Sequence, residues 1–225
     1  MMHLRWYGHR SLKLVIFLLG MLPFTLGAQF YNGSQMTFGK NRVQYTEFQW
    51  SWSRFDEFET YYYLNGKELA VFTARYAQEQ IGLMERRLEV SLSDRIQFII
   101  YNNLSDLKQS NIGLVSEQQY NTGGITHIIG RKVFLYFNGD HKHFERQIRY
   151  GIANVLVNEM IYGGSITSQV TNTTLIVLPD WYLNGLVSYL AEDWSTELDN
   201  RVQDGVMSGR YDKFNRLTGE EARYA

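Results

Sequence analysis

The chain contains no cysteine in its 225 residues. That excludes disulfides, a thiol nucleophile and any cysteine metal ligand, as well as lipid attachment to a cysteine behind the N-terminal apolar run. An exported protein without disulfides takes its stability from its core alone, which suits a bacterial periplasm better than an extracellular animal module. Proline is nearly absent, Pro23 and Pro179 being the two examples, and no Pro-, Gly- or Ser-rich linker or internal repeat divides the sequence. A surplus of either charge is missing as well, with 22 Lys and Arg against 23 Asp and Glu. The basic footprint that nucleic acid requires is therefore lacking. There is no Gly-rich phosphate loop, and no G-x-S-x-G elbow surrounds Ser195 or the other serines.

What is present begins with a leader. Arg5, Arg10 and Lys13 precede an apolar run from Leu14 to Leu26, and the small residues Gly27 and Ala28 follow before Gln29. This is the layout of a secretory signal peptide, expected to span residues 1–28 with cleavage after Ala28. At 13 residues, interrupted by Pro23, the run falls short of the roughly 20 that a transmembrane helix needs. No stable span is expected after cleavage; an uncleaved anchor is the alternative. Residues 29–225 then hold 19 basic residues (22 less three) and 23 acidic ones, a net charge of −4. With 44% apolar and 15% aromatic residues, the chain can bury a sizeable core in one domain or at most two.

Periodicity predicts the elements. Phe48, Trp50 and Trp52 alternate with polar residues and Phe58 to Tyr63 is aromatic-rich, so two strands are expected, followed by a turn at Asn65-Gly66. Leu69, Phe72, Tyr76, Leu83 and Leu88 recur at near-helical spacing and mark one long amphipathic helix. Ile96, Phe98 and Ile100 on one side, with Ile99 and Tyr101 on the other, describe a central strand covered on both faces. Asn102 to Gln119 reads as a polar loop with a short helix from Ser105. Ile125 to Ile129 and Val133 to Phe137 read as a hairpin turning through Gly130-Arg131-Lys132. His127 alternates with Ile125 and Ile129, as a core or cleft-wall histidine does. His141-Lys142-His143 reads as part of a polar turn after Asn138-Gly139-Asp140, and an i, i+2 pair does not converge on one ion.

Ile148, Ile152, Val155, Glu159 and Tyr162 form the stripe of the next helix, ended by Gly163-Gly164 in the manner of a left-handed cap. Glu159 falls on that inward stripe, and a buried carboxylate demands hydrogen-bond partners. Pro179 stands where a first-turn proline belongs, opening a helix on which Trp181, Asn184, Gly185 and Ser188 share a face. These two helices carry the frame of a zinc peptidase. A helical H-E-x-x-H presents two imidazoles one turn apart to a zinc ion, with its Glu as general base on the metal-bound water. Here that frame reads Asn158-Glu159-Met160-Ile161-Tyr162. Trp181-Tyr182-Leu183-Asn184-Gly185 follows, with Asn184 22 positions beyond Tyr162, where a third ligand would stand. A neutral Asn amide suits hard cations better than zinc, and a Tyr phenol with an ordinary pKa of about 10 is protonated at neutral pH. Without zinc, Glu159 has no water acidic enough to deprotonate.

On these residues, together with the segments VLVNEMIYGG, LPDWYLNGLVSYL and ELDNRVQDGVMSGRYDKFNRLTGE, the chain from Gln29 onward resembles a known family. It is similar to the peptidase MA-like, gluzincin-type domain that opens long Gram-negative envelope proteins ending in a TolB-like β-propeller. The resemblance implies an α+β, thermolysin-like zincin fold over residues 29–225, with an N-terminal mixed sheet and helices followed by a helical subdomain. It further implies that Val133, Leu135 and Phe137 border the substrate cleft and that Trp181 faces the former metal. Asn158, Tyr162 and Asn184 then hold vestigial ligand positions and Glu159 the vestigial base. Departure at all three ligands implies no metal, no cofactor and no hydrolysis.

The role expected from that family is a binding or scaffolding module for a protein or extended peptide in the periplasm or cell envelope, linked to protein translocation or surface construction. A strand-edged cleft supplies a route, since it can bind an extended peptide by β-augmentation without cutting it. Two alternatives stand beside this expectation: an active zinc peptidase with unusual ligands, and a structural cap for a following propeller. Within the vestigial site, Glu159 is expected to bond Asn158, Tyr162 or Asn184; the alternative is that these groups hold a hard cation. Thr218-Gly219-Glu220-Glu221 is a capping box with four residues behind it, so a longer protein or a short gene product is expected.

Overall fold

Residues 41–113, 126–163 and 178–211 are described by the computed structural model, all of them within the unit Ser34–Ala225. The leader at 1–28, the loop from 114 to Gln119, Ile125, Gly164 and the capping box at 218–221 lie outside the described residues. Five strands and five helices are described, making the fold mixed α+β: β1 (Ser51–Arg54), β2 (Phe58–Tyr62), α1 (Lys67–Leu88), β3 (Ile96–Tyr101), α2 (Leu104–Leu107), β4 (His127–Ile129), β5 (Lys132–Tyr136), α3 (His141–Tyr162), α4 (Asp180–Ala191) and α5 (Thr196–Met207). No described helix is long and apolar enough to cross a membrane.

The strands form one sheet in the order β1-β2-β3-β5-β4, with β2, β3 and β5 parallel and the two outer strands antiparallel to their neighbours. Side chains of paired residues share a face, so Phe58, Ile96, Phe98, Ile100, Val133 and Leu135 point together toward α1 and α3. The opposite face carries Glu59, Tyr61, Gln97, Ile99, Tyr101 and Phe134. Ile99 and Phe134 are wholly buried there, so the central strand is covered on both faces as its double-sided apolar pattern predicts.

Several elements differ from their sequence reading for physical reasons. Phe48 and Trp50 do not extend the first strand; their rings pack against Tyr63 and Tyr101 at 4.6–5.9 Å and close that end of the second face. The stripe of α1 facing the core is Ala70, Thr73, Ala74, Ala77, Ile81 and Met84, while Leu69, Phe72 and Tyr76 lie at its margins and Leu83 is exposed. Small residues let the helix approach closely, and the large ones cover the flanks. His141-Lys142-His143 is not a turn but the first turn of α3, capped by Asp140, which accepts from the Lys142 N–H at 2.9 Å. α5 carries an apolar stripe of Leu198, Val202 and Val206 at helical spacing. Its start is set by Ser195, which accepts from the Leu198 N–H at 3.2 Å, with Glu197 and Asp199 in the first turn.

Two glycines fix how closely layers approach. A Cβ on Gly151 of α3 would stand 2.5 Å from Cγ1 of Val133 on β5, so the helix rests directly on the strand only because that position is bare. At the expected turn, Asn65 takes φ 66° and Gly66 leaves room for the Asn102 side chain, which a Cβ would meet at 2.7 Å. The helix end at Gly163 has φ 76° with ψ 157°, a glycine conformation outside the left-handed helical region expected there.

Candidate functional site

α3 is buried on most of its circumference between sheet, α1 and α4, and Glu159 near its C-terminal end is 9% exposed. Its carboxylate accepts from the Ser93 N–H at 3.2 Å and forms an ion pair with the Arg131 guanidinium. Arg131 in turn donates to the Asp94 carbonyl at 2.6 Å and to the Ser93 hydroxyl at 2.8 Å. Helix end, hairpin turn and the loop before β3 thus meet on one charge pair. Because both members are largely withdrawn from water, removing one leaves an uncompensated buried charge.

The inward position of Glu159 follows its stripe, but its partners differ from those expected. Its bonds go to Arg131 and Ser93, not to Asn158, Tyr162 or Asn184. Consecutive helical residues point about 100° apart, so the face that Glu159 shares with Val155 and Ile152 aims it at the sheet's end, away from Asn158. The Asn158 amide donates instead to the Asn154 carbonyl at 2.8 Å and its side-chain oxygen at 3.0 Å. Tyr162, Asn184 and Trp181 are partly buried.

This donor set does not fit a zinc ion. It offers no nitrogen or sulfur ligand, its one carboxylate is neutralised by a guanidinium, and the Asn158 amide is held by its own helix. Among the described residues, no group of three His, Cys, Asp or Glu lies close enough together to share a metal. His141 packs between the rings of Phe72 and Phe137, at 5.2 and 5.0 Å. His143 lies 3.0 Å from the Gln147 amide, and burial, reinforced by Arg146, holds it below the ordinary histidine value.

The expected cleft strand is also placed differently. Val133 and Leu135 are fully buried in the core, and Phe137 packs partly buried against it. β5 is an inner strand. β4 covers it as far as Phe134, whose carbonyl also accepts from the Thr126 hydroxyl at 2.5 Å. Beyond that point the Gln147 amide from α3 closes the gap, accepting from the Tyr136 N–H at 3.0 Å and donating to its carbonyl at 2.8 Å. A peptide strand has no unpaired backbone to meet on β5. The reason the sequence pointed elsewhere is that Gln147 looks like an ordinary helix-surface residue until its amide is seen mimicking a strand.

His127 lies on β4 opposite Phe134, half-buried, and burial followed by the nearby Arg42 keeps it below the ordinary histidine value. It is a wall residue of the sheet. Trp181 borders a groove of about 510 Å³ between α4 and α5, together with Tyr182, Leu186, Tyr189, Trp194 and Leu198. Ser188, which shares a face of α4 with Trp181, Asn184 and Gly185, is buried: Tyr150 of α3, wholly buried, reaches Ser188 at 3.4 Å and donates to Glu192 at 2.6 Å.

No family model, curated protein or solved structure matches this chain.

A second polar cluster lies on the far face of the sheet. Glu59, 6% exposed, accepts from Arg54 Nε at 2.8 Å, from the Tyr61 hydroxyl at 2.7 Å and from Gln97 at 3.2 Å. Burial pushes its carboxyl up, but the hydrogen bonds of Tyr61, Gln97 and Arg54 outweigh it and hold it below the usual value. The same environment pushes the Tyr61 phenol up to about 12, by burial first and by Glu59 second. No sequence motif marks this cluster; its signal is a charged residue within an aromatic-rich inner strand.

Proposed function

We propose that the chain is an exported, non-catalytic domain of the gluzincin peptidase type that serves as a binding or scaffolding module in the periplasm or cell envelope. The support is the ion pair of Glu159 with Arg131. A general base must have its lone pairs free to take a proton from water, and here they are committed to a guanidinium and a backbone N–H. The residue that would do chemistry in a working peptidase serves instead as a structural anchor. The export component rests on the basic, apolar and small-residue pattern of residues 1–28. The link to translocation and to a TolB-like propeller rests on the resemblance of the two helical segments.

Metal analysis of the purified full chain, with peptide-cleavage assays before and after chelation, tests this reading. Substoichiometric zinc and no chelator-sensitive cleavage are expected. Stoichiometric zinc whose removal abolishes cleavage overturns it. Expression in a Gram-negative host, followed by N-terminal sequencing of the periplasmic fraction, tests export, with Gln29 as the expected first residue.

A further inference from the structure

The sheet leaves two outer strands, β1 and β4. β4 is three residues long and its central Ile128 is buried. β1 is exposed, and its register against β2 runs without a bulge from Ser51 to Arg54. The Phe55 N–H donates to the Phe58 carbonyl at 2.9 Å, which makes Phe55 and Phe58 a hydrogen-bonded pair across the Asp56-Glu57 turn. Such pairs alternate along an antiparallel ladder, so Ser53 and Ser51 bond β2 while Trp52 and Arg54 turn their N–H and C=O groups outward. Two donors and two acceptors stand in strand geometry with no partner among the described residues. No proline or bulge interrupts this edge; its short length and the Arg54 charge limit what can pair with it to a short segment that carries a matching carboxylate.

The side chains beside that edge are already positioned. Trp52 is 54% exposed, stacked on Tyr61 at 6.5 Å with the Arg54 guanidinium 5.0 Å over its ring. Arg54 spends only its Nε on Glu59, and its two terminal amino groups bond no described residue. We propose that the outer edge of β1 is a docking strand for an extended peptide that carries an apolar or aromatic residue against Trp52 and a carboxylate against Arg54. The proposal deepens the non-catalytic binding reading and rests on it, moving the site of β-augmentation from β5, where the backbone is closed, to β1, where it is open. Asp56 and Glu57 at the turn repel a further acidic residue beyond Arg54 and so limit the register. A second copy of this chain fits less well, because a four-residue edge buries far less than the roughly 1,200 Å² that a stable dimer needs.

The test uses the full chain and a fluorescein-labelled probe, Val-Glu-Val-Phe-Val-Glu-Val, whose alternate residues present Glu and Phe on one face. Saturable binding by fluorescence anisotropy is expected, with slowed amide exchange at Trp52 and Arg54 and little change at Ser53. N-methylating the probe at the amides that would face β1 removes its donors and is expected to abolish binding. Trp52→Pro removes an outward N–H without breaking the ladder to β2, and is expected to abolish it too. Arg54→Glu is expected to weaken binding about fivefold and to reverse the preference for Glu over Lys in the probe. Binding indifferent to N-methylation, no protection at the Trp52 and Arg54 amides, or a peptide-free dimer that protects the same amides overturns the proposal. The exchange and N-methylation results need no variant, so a misfolded Trp52→Pro protein leaves the outcome decided. Zinc-dependent cleavage would defeat the non-catalytic reading independently, and absent probe binding would defeat only the β1 site.

Discussion

Glu159 at the end of α3 and Glu59 on β2 are both buried carboxylates paired with an arginine, yet the two pairs have opposite consequences. Arg131 is itself withdrawn, with 17% of its side chain exposed, and its other donors reach Ser93 and Asp94. Arg54 is 56% exposed and touches Glu59 through one nitrogen. The first pair is closed and works as a joint between helix, hairpin and loop; the second is open and leaves a cation on the surface beside the outer edge of β1. Burial of the acid alone does not distinguish a structural from a recognition role. The exposure of the base does.

The comparison breaks most sharply at Arg131. Arg131→Ala should destabilise the fold by about 3 kcal/mol in chemical denaturation, because Glu159 is left charged and unpaired. Arg131→Met combined with Glu159→Leu should recover most of that loss, since a packed apolar pair replaces the charges without their desolvation cost. If the double variant is no better than the single one, the joint acts through more than this pair. Gly151→Ala, which forces a methyl into Val133, should cost about 2 kcal/mol by the same measurement and leaves both charge pairs intact.

Smaller effects sharpen the other side. Glu59→Gln should cost about 1 kcal/mol, because its donors stay near acceptors and Arg54 is already wet. Since Glu59 has a lowered folded pKa, its contribution is complete above its ordinary value of 4.5 and is lost as pH falls below it; a melting-temperature scan of Glu59→Gln should be flatter than wild type in that acid range. His127 and His143 are held below 6.5, so the unfolded chain binds protons first and stability falls as pH drops from 7 toward 5. His127→Gln should flatten that segment of the scan. Arg54→Gln should change stability least, by under about 0.5 kcal/mol, because Glu59 keeps its bonds from Tyr61 and Gln97, while weakening recognition of an acidic peptide.

Much of the architecture is legible in the sequence. The long first helix, the stripe from Ile148 to Tyr162, the doubly covered β3 and the inward Glu159 all follow from apolar spacing, because burial periodicity is a property of the chain itself. The core side of α1 is not legible from its large residues, because Leu69 and Phe72 advertise burial more loudly than Ala70, Ala74 and Ala77, although close packing selects the small ones. Arg131 was legible only as a turn residue, and Gln147 only as a helix polar residue. Their roles depend on elements far away in sequence, 28 residues for Arg131 and Glu159 and 11 for Gln147 and Tyr136.

By itself the sequence determined the α+β class, the apolar stripes of the long helices and the fact that the Asn158 to Tyr162 frame carries no zinc-binding side chains at its ligand positions, since residue chemistry is fixed whatever the fold. Only the tertiary structure decided what happens to the remaining carboxylate and which strand edge stays open. Partner choice for a buried charge is set by whichever cation the packed layers bring within reach, and edge exposure is set by sheet order, neither of which is encoded in any local run of residues.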